Sequence, residues 1–147
     1  MKRFAGLLVA LMTIAALPLA AGKAPRGWET DYARAKKLAT EKNLPVLLLF
    51  SGTSWCPPCK ALRRAVLDKP EFEKALKDKC IMLYVDVPRE DTKHFEREMA
   101  EKYPFIHLRG VPTIVVTDSQ ITQVKNQPKG RSIQDFVEAI EAVAGGE

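Results

Sequence analysis

Val46-Leu47-Leu48-Leu49-Phe50, followed by Ser51-Gly52-Thr53-Ser54 and then Trp55-Cys56-Pro57-Pro58-Cys59-Lys60, is the stretch on which the reading of this chain turns. The first five residues form a continuous apolar run bounded by turn formers, the pattern of a fully buried strand. Ser51 to Ser54 interrupt it. Beyond them Cys59, Leu62, Ala65 and Val66 recur at helical spacing, with Lys60, Arg63 and Arg64 on the other side. The spacing therefore predicts a strand, a tight loop and a helix that opens at Cys56. At a helix N-terminus the aligned dipoles and unpaired N–H groups favour a thiolate.

Two thiols three positions apart can close a small disulfide ring or share one metal ion. A static structural bridge across so short a loop gains little, because the chain entropy it removes grows with loop length. A tetrahedral zinc site needs two further ligands, and Cys80, His94 and His107 are the remaining cysteine and histidines, with no second paired spacing. Redox chemistry fits better. Cys56 would attack a disulfide as the thiolate, and Cys59, one turn into the helix on its buried side, would resolve the mixed disulfide. Neither Pro57 nor Pro58 has an N–H for the Cys56 sulfur, which leaves Cys59 N–H and the helix dipole to hold the thiolate. No histidine or charged residue lies between the cysteines. Both absences point to a modestly lowered thiol pKa and a reducing pair.

The W-C-x-x-C-K stretch, together with Arg109-Gly110-Val111-Pro112-Thr113, resembles the thioredoxin family over nearly all of the chain after its N-terminal segment. More narrowly, Trp28 to Phe50 followed by Ser51-Gly52-Thr53-Ser54-Trp55 is similar to exported bacterial thioredoxin-like domains. Among these is the C-terminal domain of the transmembrane thiol–disulfide interchange reductase. The resemblance implies a thioredoxin-like α/β fold, with a central mixed sheet flanked by helices on both faces. It implies a redox-active disulfide between Cys56 and Cys59, with a cis-proline at Pro112 packed against it. Trp55, Pro57, Pro58, Val111 and Pro112 would form the substrate-binding rim, and the Val111 backbone would pair with an extended peptide. From the residues alone, Trp55 reads equally well as a core tryptophan. The family usually carries an acidic residue late in the strand before the cysteines; here the aligned position is Leu49 or Phe50, depending on one gap. Losing that carboxylate removes a repulsion on the thiolate and a base for Cys59, which runs against the reducing assignment.

The chain has 147 residues, enough for one domain, and its 46% hydrophobic and 28% charged residues describe an ordinary globular protein. The net charge of +5 includes Lys2 and Arg3, no long basic run occurs, and aromatics are only 7%. Nucleic-acid binding is therefore not expected. Lys2-Arg3 followed by the apolar stretch Phe4 to Leu19 and by Ala20-Ala21-Gly22 reads as an export signal over residues 1–22. Residues 23–147 then form the thioredoxin-like domain, with the mature chain starting near Lys23. An uncleaved anchor is the alternative, but the run falls short of the roughly 20 residues a spanning helix wants. A periplasmic or secreted location, where disulfides persist, follows.

Further along, Thr30 or Asp31 can cap a helix with Tyr32, Ala35, Leu38 and Ala39 on one face, ended by Asn43-Leu44-Pro45. The helix after the cysteines should run to about Leu67, and Pro70 can open another with Phe72 and Leu76 inward. Cys80 to Val87 reads as a buried strand with Cys80 as a core thiol, and Glu90 to Tyr103 as an amphipathic helix. Thr113 to Thr117 is a β-branched strand, with Ile121 to Val124 pairing back as a hairpin arm. Ser132 begins a last helix with Ile133, Phe136, Val137 and Ile140 inside. This alternation is an α/β order with a central sheet covered on both faces. His94 and His107 have no partner pattern and belong on the surface.

The expected activity is that of an exported thiol–disulfide oxidoreductase that reduces protein disulfides, needs no bound cofactor or metal, and works as a monomer. If reducing, it must be recharged outside the cytoplasm, which implies a membrane electron-donor protein as partner. The competing readings are a disulfide oxidase or isomerase, and a metal-binding chaperone using the same two cysteines.

Overall fold

The computed structural model describes residues 24–90 and 92–145. The export signal expected over residues 1–22, and its cleavage point, lie outside these. The elements run α1 (Tyr32–Lys42), β1 (Val46–Ser51), α2 (Pro57–Leu62), α3 (Pro70–Leu76), β2 (Ile81–Asp86), α4 (Thr92–Lys102), β3 (Thr113–Thr117), β4 (Val124–Asn126) and α5 (Ile133–Ala144). A π-helical turn over Arg63–Leu67 prolongs α2. The four strands lie in the order β2-β1-β3-β4, with β1 parallel to β2 and antiparallel to β3, and β3 antiparallel to β4. This is the expected mixed sheet.

Every residue of β1 is buried, as its unbroken apolar run requires of a strand covered on both faces. Alternation along it divides the core. Leu47 and Leu49 pack with Leu62 and Val66 of the α2 segment, Phe72 and Leu76 of α3, and Phe136 and Ile140 of α5. Val46, Leu48 and Phe50 pack with Ala35 and Ala39 of α1 and Phe95 of α4. Of Leu49 and Phe50, Leu49 lies on the side that packs against the helix carrying the cysteines, and Phe50 on the other. Phe50, Phe72 and Phe136 are fully buried, and burying each such ring stabilises the fold by about 2–3 kcal/mol.

Local signals place the helix ends. The Asp31 carboxylate accepts the Arg34 amide at 2.6 Å, and Asn43 ends α1 in the left-handed region at φ 50°. Pro70 occupies the first turn of α3, and Ser132 with Asp135 forms a capping box on α5. The segment before α1 shields the edge of β2: Glu29 donates to the Met82 carbonyl and accepts from the Tyr84 amide.

Two boundaries differ from expectation. The hairpin arm begins at Val124 and not at Ile121. Asp118 accepts the Thr122 amide and hydroxyl and the Gln123 amide, which winds 118–123 into a loop. Ile121 is buried there at φ 55°, as a plug for the α1/α4 side of the core. Cys80 precedes β2 by one residue and is buried, with its thiol directed at the Leu76 carbonyl.

Candidate functional site

The turn out of β1 delivers the cysteines to the end of the sheet. The Gly52 carbonyl accepts the amides of Trp55 at 3.0 Å and Cys56 at 2.7 Å, closing the loop that Ser51 to Ser54 predict. Cys56 is the N-cap of α2, in an extended conformation, and Pro57 and Pro58 fill the first turn, where their missing N–H groups cost no helical bond. Cys56 and Cys59 are joined by a disulfide, with their Cα atoms 5.3 Å apart. The Cys59 amide donates to Cys56 Sγ at 3.2 Å. This is the one amide that two prolines leave within the turn, and it points at the sulfur that would carry the negative charge.

Across from the pair, the Val111–Pro112 peptide bond is cis. Cys56 Sγ lies 3.7 Å from the Val111 carbonyl oxygen. In the disulfide this sulfur has no proton to give; as a thiol it can donate there, so the two neighbours act oppositely. Cys59 N–H favours the thiolate and Val111 C=O favours the thiol. The structure thus brings Cys56, Cys59, Val111 and Pro112 together. Exposure does not separate the cysteines, which are 3% and 2% accessible in the oxidised state.

Trp55 is half-buried, between the two readings its sequence allowed. Its Nε1 donates to the Val87 carbonyl at 2.8 Å, and its indole lies so close to Gly52 that a Cβ there would sit 2.4 Å from Cε2. Pro57 and Pro58 are exposed on the same rim. Lys60, His94 and His107 are exposed. Among the described residues no group of three or more His, Cys, Asp or Glu side chains could hold a metal ion. Among them, too, no helix is long and apolar enough to cross a membrane.

One feature of the site is absent from the sequence reading. A cleft of about 880 Å³ lies between α4 and the segment 104–111, lined by Phe95, Met99, Ile106 and Leu108, and by Trp55 and Val111, the neighbours of Cys56 in sequence and in space. Phe95 and Met99 were legible as the inner stripe of α4. Ile106 and Leu108 follow no helical or strand period, and only the fold sets them opposite that stripe.

Burial sets the remaining thiol apart from this pair: it pushes Cys80 up to about 12, against an ordinary 9.0.

The thioredoxin-like family model matches residues 27–119. The thioredoxin-related protein DsbJ of Chlamydia pneumoniae is 39% identical over 59 residues, covering 40% of this chain and 17% of DsbJ. The disulfide bond reductase DsbH of the same organism is 27% identical over 102 residues, covering 66% of this chain and 59% of DsbH. The chain thus spans less than two thirds of the length of either relative. Among solved structures, a DsbH oxidoreductase superposes with a TM-score of 0.59 at 23% identity, covering 96% of each chain. The C-terminal domain of Neisseria meningitidis DsbD, in its oxidised form, superposes with a TM-score of 0.53 at 22% identity, covering 78% of this chain and 97% of that domain. Two motifs separated by some fifty residues, a mixed sheet with helices on both faces, and a family match over most of the described residues agree: the chain belongs to the thioredoxin-like family.

Proposed function

We propose that this chain is an exported thiol–disulfide oxidoreductase that reduces disulfides in proteins through Cys56 and Cys59. The observation that carries the reading is the placement of the Cys56 sulfur, which caps α2 under the Cys59 amide and borders Val111 at the head of the apolar cleft.

In the reduced enzyme the Cys56 thiolate attacks one sulfur of a substrate disulfide. The substrate S–S bond breaks, a mixed disulfide forms, and the departing substrate thiolate takes a proton. Cys59 then loses its proton and attacks Cys56 Sγ, which releases the second substrate thiol and leaves the Cys56–Cys59 disulfide. Two electrons have passed to the substrate, whose two thiols take one proton released by Cys59 and one from solvent. The cleft suits an extended, partly apolar protein segment better than a small polar disulfide, because Phe95, Met99, Ile106 and Leu108 offer apolar area and few polar partners.

Reduction is favoured over oxidation by what the pair lacks. The thiolate has one amide donor from the turn, no histidine between the cysteines and a carbonyl 3.7 Å away, so the reduced state gains little from ionisation. The relative DsbH is named a disulfide bond reductase. Outside the cytoplasm the oxidised pair would be recharged by a membrane electron-donor protein. Equilibration with glutathione tests the direction. A reducing enzyme should have a potential below about −230 mV and reduce insulin with dithiothreitol as electron source. A potential near about −120 mV would make it an oxidase. Export is tested by sequencing the N-terminus from the native host, where a mature chain should begin near Lys23.

A further inference from the structure

The exchange chemistry leaves the hydroxyl of Tyr84 unused, yet that hydroxyl is the centre of a polar chain buried beside the redox loop. Tyr84 lies opposite Leu49 in the β1–β2 register, and Asp86 lies opposite Ser51. The polar chain therefore continues the sheet face whose Leu47 and Leu49 pack against the α2 segment. The Tyr84 hydroxyl donates to Asp86 Oδ1 at 3.3 Å. That commits its only proton, so in the 2.5 Å contact with Thr53 the threonine hydroxyl donates to the tyrosine oxygen. The Ser51 hydroxyl in turn donates to Thr53 Oγ1 at 3.0 Å. Three hydroxyls aligned in one direction onto a carboxylate reinforce one another, and both ends of the hydroxyl run, Ser51 and Tyr84, are buried.

Ser51 and Thr53 stand on either side of Gly52, the residue whose carbonyl accepts the Trp55 and Cys56 amides. We propose that Tyr84 is a positioning residue for the redox pair: its hydroxyl, gripping Thr53 and through it Ser51, fixes the Gly52 carbonyl that orients Cys56 under the Cys59 amide. The inference rests on the exchange chemistry proposed for Cys56. Since Pro57 and Pro58 supply no N–H, the 3.2 Å approach of the Cys59 amide is the turn's one direct hydrogen bond to the thiolate. A loosened turn weakens it and raises the Cys56 pKa. The sequence hides this arrangement, because Ser51, Thr53 and Tyr84 read separately as two loop formers and a strand aromatic.

The test is the pH profile of Cys56 alkylation by iodoacetamide in the reduced protein, carried in a Cys80→Ala background. The charged or titratable groups of the loop and the neighbouring cleft include Cys59 and Lys60 on α2, Asp86 at the end of β2, Glu96 on α4, and His107 and Arg109 before β3. All are common to the proteins compared, so a difference between them reads the hydroxyl chain. Tyr84→Phe should move the alkylation midpoint up by about half a pH unit or more, which is about threefold less thiolate below the midpoint. Thr53→Val should do the same, and Thr53→Ser, which keeps the hydroxyl, should restore the unsubstituted profile. Should Tyr84→Phe fail to fold, the Thr53 pair decides alone. Midpoints unmoved in folded variants would overturn the inference while leaving the exchange chemistry intact. A reduced wild-type Cys56 that resists alkylation at every pH would overturn the exchange reading and this inference with it.

Discussion

Trp55 Nε1 donates to the Val87 carbonyl at 2.8 Å, tying the residue before the first cysteine to the chain just beyond β2. The indole reaches that carbonyl only because Gly52 has no side chain beneath it, a Cβ there falling 2.4 Å from the ring. The redox loop is thereby joined to one wall of the cleft. Gly52→Ala should displace the indole and cost about 1–3 kcal/mol in urea unfolding, as overpacking does elsewhere, with a parallel fall in insulin reduction. Unchanged stability together with unchanged tryptophan emission would mean that this contact is not the constraint described.

Cys80 should be chemically silent in the native protein. An alkylating reagent should label reduced Cys56 quickly and Cys80 only on denaturation, and Cys80→Ala should keep insulin reduction at a cost on the order of 1 kcal/mol in stability. Labelling of Cys80 as fast as Cys56, or loss of turnover in Cys80→Ala, would make it a third redox thiol.

The same burial predicts an alkaline effect with a definite sign. The folded thiol is pushed up to about 12, against an ordinary 9.0, so the unfolded chain releases its proton first. Stability from the neutral thiol is whole below 9.0 and is lost as pH rises from there toward about 12. Wild-type protein should therefore lose stability faster than Cys80→Ala from about pH 9 to 10.5. Parallel urea midpoints across that range would contradict it. Tyr84 and Tyr103, whose pKa values burial also raises, are present in both proteins and cancel.

Asp118 gives the opposite sign at acid pH. Partial burial alone would raise its pKa, but the bonds from the Thr122 hydroxyl and amide and the Gln123 amide, with Lys125 nearby, bring it below 3.8. Its contribution is present above 3.8 and is lost as pH falls through the lower folded value. Asp118→Ala should cost about 1–2 kcal/mol at neutral pH, with the gap to wild type closing below 3.8 in acid urea titrations. A gap that stays constant with pH would mean the carboxylate's charge plays no part in holding the loop.

Most of this architecture is legible in the residues because local and tertiary preferences agree. The apolar run at Val46, the Asp31 and Ser132 caps, Pro70 and the stop at Asn43 each act over a few positions, and the packing confirms them. Legibility ends where contacts over long separations decide. Ile121 reads as a strand residue by hydrophobicity, but the Asp118 bonds turn the backbone there and the core takes its side chain from a loop. Leu49 could be told from Phe50 as the residue facing α2 only once the sheet's alternation was seen. The Ser51–Thr53–Tyr84 chain joins segments some thirty residues apart, and the cleft sets α4 against a segment of no regular period, so neither has a local pattern.

The central claim is that Cys56 attacks and Cys59 resolves, and trapping measures it directly. Reduced Cys59→Ser protein incubated with oxidised insulin should accumulate a covalent adduct that dithiothreitol releases and that peptide mass mapping places on Cys56, because the resolving thiol is gone. Reduced Cys56→Ser protein should trap nothing. An adduct of equal yield through Cys59 in the Cys56→Ser protein, or none in Cys59→Ser, would contradict the assignment.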